Sequence, residues 1–459
     1  MRQIQARQLP LREPWGNHPR SEELRAISAL LDALPGVARL AHADLVGARS
    51  ARVGRSGVSG EQVVRLAILK QVEGVSYAEL AFMLVDSRAA HTFSRLSLDD
   101  TLSSSALQEN IKLLTPQTWE AINGFVVGLA HERNVENGER VRTDCTVVDA
   151  NVLEPNDARL LWDCVRVLTR VVGRVMKAFP AATWDFADRT LAVKSSAYQI
   201  QFLSRGDVRI ERYKKLIDIA ASVYLDGTHA LKTLGQLVLD DDARAERERP
   251  ARELTALLVA MGRVLSQTKR RIIDGESVPA AEKIVSIFEQ HTDIVIKDGR
   301  DVRFGHKVCL TGGASSMIID CMVLEGNPSD LTLVQPTLAR VTKTFGRPPR
   351  EASYDGGFTS ADNLAAAKAA GVVEVCFHKQ RGLTVAEMVS DDATFRRLRN
   401  FRAGIEGCIS TLKRAFSMGR CTWRGLASFK SYVHASVVAF NLSVLARRLA
   451  IAAAAAAAR

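Results

Sequence analysis

The sequence predicts an α/β protein: a mixed sheet interrupted by a helical insertion and preceded by an all-helical N-terminal domain. Three observations predict it. Residues 59–129 carry helical periodicity throughout, VRTDCTVVDAN is a β-branched run of strand character, and further strand-like stretches, alternating with helices, resume only past residue 300. The interval between, about 157–290, is helical and highly charged.

Taken in order, residues 1–55 form a polar arm and one amphipathic helix, SEELRAISALLDALPGV, which Pro35 and Gly36 terminate. Residues 56–135 form a helical domain for DNA binding or dimerisation. Its segments SGEQVVRLAILKQVEG, VSYAELAFMLVDS, TLSSSALQENIKLL and TPQTWEAINGFVVGLA open on Ser or Thr at N-cap positions. Gly74 stands where a helix-turn-helix has its turn glycine, a spacing that plain bundle packing also produces. An α/β domain spans 136–425. After the first strand comes the insertion, opening at PNDARLLWD and including DDARAERERPARE, a solvated helix face. Then follow hairpin strands in DVRFGHKVCLTGG and SSMIIDCMVLEG, a helix in SDLTLVQPTLARVTKTF, a strand ending at Asp355, a helix, the strand VVEVCFH and the helix FRAGIEGCISTLKRAF. Residues 426–459 form a last helix and a frayed poly-alanine tail.

A chain of 459 residues, 47% hydrophobic, can bury large cores in two or three domains. Its net charge of +11 favours a polyanionic partner, most simply nucleic acid. The seven cysteines form no CxxC pair and the nine histidines no zinc-type cluster, so any metal is expected to be held by oxygen. The start has no signal-peptide core, and Arg447 and Arg448 interrupt the longest apolar run; the expectation is a cytoplasmic protein without a membrane partner.

The chemistry centres on three carboxylates. Asp144 lies on the first strand, Asp355 at the end of a later one before Gly356 and Gly357, and Glu406 on the closing helix. If the two strands are neighbours and the helix packs across them, the three meet and make a hard-cation site for Mg²⁺ or Mn²⁺. Two ions in such a site serve in-line displacement at a phosphodiester. On the helix, Phe401, Ile405, Ile409, Leu412 and Phe416 form a core stripe, with Arg402, Glu406 and Lys413 on a line beside it. Gly404 and Gly407 leave the back open to close approach. An intrahelical ion pair, Arg402 with Glu406, is the competing reading of that carboxylate.

At TDCTVVDAN…PNDARLLWD, FGHKVCL, GNPSD, SYDGGFTS and FRAGIEGCISTLKRAF…WRG the chain resembles the DDE transposases of bacterial insertion sequences, most closely the ISNCY type, over nearly all of residues 59–448. The resemblance implies an RNase H-like catalytic domain with a helical insertion, in which Asp144, Asp355 and Glu406 bind two Mg²⁺ ions, with Mn²⁺ able to substitute. It implies double-stranded DNA partners, transposon ends and target, a homodimer or higher oligomer when active, and a prokaryotic, nucleoid-associated setting. Related transposases carry Tyr, Arg, Glu and Lys at fixed spacing around the last carboxylate; Arg402, Glu406 and Lys413 match, while Arg399 replaces the tyrosine. Arg402 and Lys413 are then expected on DNA phosphates.

Arg396, Arg397, Arg399, Arg414, Arg420 and Arg424 surround that helix and suit a phosphate backbone. Trp423 can stack on a displaced base or pack in a core. His306 with Lys307, and His378 with Lys379, can hold the scissile phosphate or serve as structural hydrogen-bonding residues. Asp149 and Asp320 are left out of the catalytic set, Asp320 as a residue hydrogen bonded at a sheet edge. The expected function is a transposase that binds terminal inverted repeats, cuts the ends and joins the 3′-OH to target DNA. The alternatives are a catalytically silent DNA-binding regulator and an RNase H-like nuclease.

Overall fold

A computed structural model describes residues 3–4, 15, 17–47, 57–97, 100–204, 206–237, 241–297 and 301–458. The boundary expected near residue 55 and most of the N-terminal arm lie outside these residues. The chain divides into two compact units, Met1–Asp149 with His306–Arg459, and Ala150–Gly305. The insertion expected at about 157–290 lies within the second.

Among the described residues of the first unit, seven helices precede the sheet: α1 Pro19–Asp32, α2 Pro35–Val46, α3 Gly60–Glu73, α4 Tyr77–Asp86, α5 Arg88–Ser94, α6 Ser104–Ile111 and α7 Pro116–Glu132. Pro35 does not merely end α1; it opens α2, because a first-turn proline lacks only an N–H that would have no partner there. Capping boxes, Ser59 with Gln62 and Ser76 with Glu79, start α3 and α4. Gly74 closes α3 in the left-handed conformation, φ 67°. α3 is buried on every side, down to Arg65, whose guanidinium reaches Asp32 at 2.5 Å and Glu61 at 3.1 Å.

The sheet is mixed and, among the described residues, has six strands: β1 Arg140–Asp149, β2 Asp293–Lys297, β3 Asp301–Gly313, β4 Ile318–Val323, β5 Glu351–Tyr354 and β6 Glu374–Phe377, in the order β2-β3-β1-β5-β6 with β4 paired to β3. β3 crosses the unit boundary; its first five residues pair with β2 inside the second unit. Between VRTDCTVVDAN and residue 300 the sequence predicts no strand, yet DIVIK forms β2, a run of five residues too short to set a period apart from the helical pattern before it. β1–β5 and β5–β6 are parallel, β3–β4 antiparallel. β5 and β6 are almost continuously buried, as parallel strands covered on both faces are.

α12 Val334–Phe345, α13 Ala361–Ala369, the single turn α14 Val385–Met388 and α15 Asp392–Ala415 accompany the strands, and α15 packs on β1, β5 and β6. The last helix, numbered α16 in chain order, runs Leu426–Ala457 and packs on α7, α3 and α1 as well as β4. Its poly-alanine end is helical rather than frayed, in line with alanine's helix propensity. α16 is long and apolar enough to cross a membrane, and half of its most apolar stretch is buried among these neighbours.

The second unit holds α8 Asp157–Ala178, α9 Thr190–Gln201, α10 Asp207–Gln236 and α11 Asp241–Thr268, the last continued by a π turn at Lys269–Ile273. α8 packs on the other three through Leu161, Val165, Leu168 and Val172 against Leu216, Val223, Leu254 and Val264. Arg252 and Glu248 on α11 are well exposed, as a solvated charged face requires.

Candidate active site

The register of β1 on β5 ends at Thr143↔Tyr354, which puts Asp144 and Asp355 one step further along two adjacent parallel strands. Glu406 comes from α15, packed on both. Arg402, one helical turn before Glu406, joins the three. Its Nη1 lies 3.3 Å from Asp144 Oδ2 and 3.4 Å from Asp355 Oδ1, while Nη2 lies 2.5 Å from Glu406 Oε1. The intrahelical pair and the carboxylate cluster are therefore the same structure.

Exposure grades across the cluster: the side chains of Arg402, Asp144, Asp355 and Glu406 are 8, 18, 40 and 60% exposed. Burial, followed by repulsion from Asp355, pushes the Asp144 carboxyl up to about 6, against the Cys145 N–H, which donates to it at 2.7 Å, and Arg402. His378 stands at the rim; burial, then the charges of Arg402 and Arg399, hold it below the usual imidazole range.

The turn after Asp355 explains its two glycines. A Cβ on Gly356 would sit 2.8 Å from Lys379 Cβ, and one on Gly357 2.7 Å from Asp330 Oδ2, so only glycine admits both neighbours. Asp330, in the GNPSD stretch, is the acidic neighbour that the sequence reading left without a role. It takes Lys307, 3.0 Å away.

Several expected DNA contacts are placed elsewhere. Arg402 is buried and engaged by three acids, so it does not face phosphate. His306 is buried edge-on to Phe429, because both sides of β3 are covered there and alternation no longer points one residue outward. Lys307 is spent on Asp330 and the Pro328 carbonyl. Arg397 grips Glu351 through two bonds of 2.7 and 2.8 Å. Trp423 is buried against Tyr432 and stacked near Tyr77, hence a packing residue that no base can reach in this conformation. Arg396, Arg399, Arg414, Arg420 and Arg424 remain exposed, and Lys413 and His378 are half-buried. Asp320, as expected, is hydrogen bonded, to Arg340 at 2.8 Å.

Among the described residues, no group of three His, Cys, Asp or Glu side chains stands in a geometry that could hold a metal ion. The donor chemistry nevertheless fits a hard cation: three carboxylates face one cationic group, and the two aspartates share a single nitrogen of it. Arg402 supplies one positive charge against the three carboxylates, so the cluster keeps a net negative charge.

A family model described as a transposase DDE domain matches residues 265–442. The span includes Asp355, Arg402 and Glu406 and leaves out Asp144. It supports a DDE transposase family and a transposase function in general. The mixed sheet with its helical N-terminal region is consistent with an RNase H-like domain. No curated protein and no solved structure matched the chain.

Proposed function

We propose that the chain is a DDE transposase of the ISNCY type, which binds terminal inverted repeats, cleaves the transposon ends and joins their 3′-OH to target DNA. The observation that carries this reading is the convergence of Asp144, Asp355 and Glu406 on one guanidinium, Asp144 from more than two hundred residues before the other two. Asp144 and Asp355 offer oxygens from neighbouring strands, and Glu406 closes the set from the helix. When bound, Mg²⁺, or Mn²⁺ in its place, supplies the activation of water and the stabilisation of the leaving 3′ oxygen that phosphodiester displacement needs, two ions serving the two oxygens. For the carboxylates to take up such ions, Arg402 has to release them. The exposed Arg399, Arg414, Arg420 and Arg424 supply a phosphate-binding surface whose affinity falls as salt rises. Pairing two ends calls for a homodimer or larger assembly, acting on nucleoid DNA in a prokaryotic cytoplasm.

The test is nicking of duplexes that carry the element's terminal repeats. Mg²⁺-dependent cleavage is expected from the wild type, and a loss on the order of a thousandfold from Asp144→Asn and from Glu406→Gln, with gel shifts in EDTA unchanged. Repeat-specific binding without any nick would favour the silent regulator. Cleavage indifferent to terminal sequence would favour the RNase H-like nuclease.

A further inference from the structure

We infer that Arg142 is a positioning residue: it sets the gap between the strand that carries Asp144 and the helix that carries Glu406, and Gly404 is the seat it needs. The inference rests on reading those carboxylates as the catalytic set. A strand and a helix packed on it share no backbone ladder, so side chains fix their separation. Arg142 lies two residues before Asp144 and points to the same side of β1. It is 6% exposed.

Its guanidinium contacts α15 at two residues, Phe401 and Cys408. Nη1 donates to the Phe401 carbonyl at 2.9 Å, the guanidinium carbon stands 4.6 Å from the centre of the Phe401 ring, and Nη2 faces Cys408 Sγ at 3.8 Å. Phe401, Gly404 and Cys408 occupy one face of that helix. A Cβ on Gly404 would come within 1.8 Å of Nη1 and 2.6 Å of Cζ, so either the guanidinium, held by the Phe401 carbonyl and Ser316, or the helix must shift. This is the close approach that the small residues on the helix back make possible. On its other side Arg142 donates to Ser316 Oγ at 3.1 Å. The turn bearing Ser316 is pinned by the buried Glu136, which accepts from Ser315 N at 2.9 Å and from Ser315 Oγ at 2.5 Å.

Glu406 follows Gly404 by two residues, so any displacement of α15 at the seat moves it relative to Asp144. A misplacement of about 1 Å at reacting groups costs roughly a hundredfold in rate. Arg142 touches none of the reacting carboxylates itself; it acts through the position of the helix.

The experiment uses full-length Arg142→Ala, Arg142→Lys, Gly404→Ala and the double variant Arg142→Ala/Gly404→Ala. The readouts are kcat and KM for Mg²⁺-dependent nicking, Mn²⁺ uptake followed by electron paramagnetic resonance, DNA binding in EDTA and the thermal midpoint. Gly404→Ala is expected to lower kcat by roughly a hundredfold and to weaken Mn²⁺ uptake, with KM and EDTA-phase DNA binding unchanged. The double variant should lose no more than Arg142→Ala alone, since the overlap needs the guanidinium. Arg142→Lys, charged but without the fork, should fall between Arg142→Ala and wild type. Additive losses, or wild-type kcat and Mn²⁺ uptake in Gly404→Ala, overturn the inference. If Gly404→Ala does not fold, the double variant decides: folding with the Mn²⁺ uptake of Arg142→Ala supports the seat, and failure to fold overturns it. A wild type that neither nicks nor takes up Mn²⁺ overturns the transposase reading and this inference with it. An active wild type with four indistinguishable variants overturns this inference alone.

Discussion

The helical second unit and the sheet that holds the carboxylates bury different kinds of side chain. In the helical unit the interior between α8, α10 and α11 is mainly Leu, Val and Ala, with Cys164, Tyr213 and Met261 among them. The buried Gln267 there donates to Asp157 and accepts from the Ile284 N–H. Around β1 and α15 the buried set includes Arg142, Thr143, His306, Thr311, Ser353 and Arg402. Many of them bridge elements: Thr143 to Thr311 at 2.9 Å, Ser353 to the Leu398 carbonyl at 3.0 Å, Arg142 to α15. Burying polar groups costs free energy unless each finds its partner, and such partners fix geometry more narrowly than apolar contacts do. One region is built to be stable, the other to hold positions.

The largest effect that tests this contrast is on rate. Glu406 is the most exposed of the three acids and packs against little, so Glu406→Gln should leave the urea midpoint close to wild type while end cleavage falls on the order of a thousandfold, equivalent to about 4 kcal/mol of barrier. A variant that lost stability in step with activity would break the distinction. Next in size is a core change in the helical unit. Leu216, fully buried, should cost about 3–5 kcal/mol on truncation to Ala. The measurement is the urea midpoint together with the nicking rate per folded molecule, which should stay near wild type. A lost rate in fully folded Leu216→Ala would give the helical unit a share in catalysis.

The same contrast sets what could be read from sequence. β1 announced itself by β-branched residues, Asp355 by the strand end and its two glycines, and α15 by an apolar stripe that the structure buries at Ile405 and Leu412. These signals are local. The helical insertion was equally legible, because apolar periodicity over long helices needs no partner to be recognised. What escaped were side-chain partners supplied by a distant neighbour. Arg402 sits at a helix position that can face solvent, DNA or protein; two strands that arrive from elsewhere turn it toward three acids. His306 follows the strand's alternation, yet α16 covers its side through Phe429. Trp423 stands among arginines in sequence and between Tyr77 and Tyr432 in space. The role of Arg142 becomes visible only once Gly404 is seen beneath it.

A smaller effect sharpens the comparison through pH. Asp144 has its carboxyl raised from the ordinary aspartate range to about 6, chiefly by burial and then by Asp355. Between roughly pH 4 and 6 the folded protein therefore keeps a proton that the unfolded chain has released, and stability falls as pH rises through that window. Above it the cost is constant, on the order of 3 kcal/mol. Asp144→Asn removes the charge that is penalised, so in EDTA the variant should be the more stable protein at pH 7, by about that amount, and the gap should close toward pH 4. Urea midpoints of the two proteins at half-unit steps from pH 4 to 8 measure it. Added Mg²⁺ should then raise the wild type and leave the variant where it was, reversing the order. A gap that stayed constant with pH would mean that Arg402 offsets the burial of Asp144 and its repulsion from Asp355 in full.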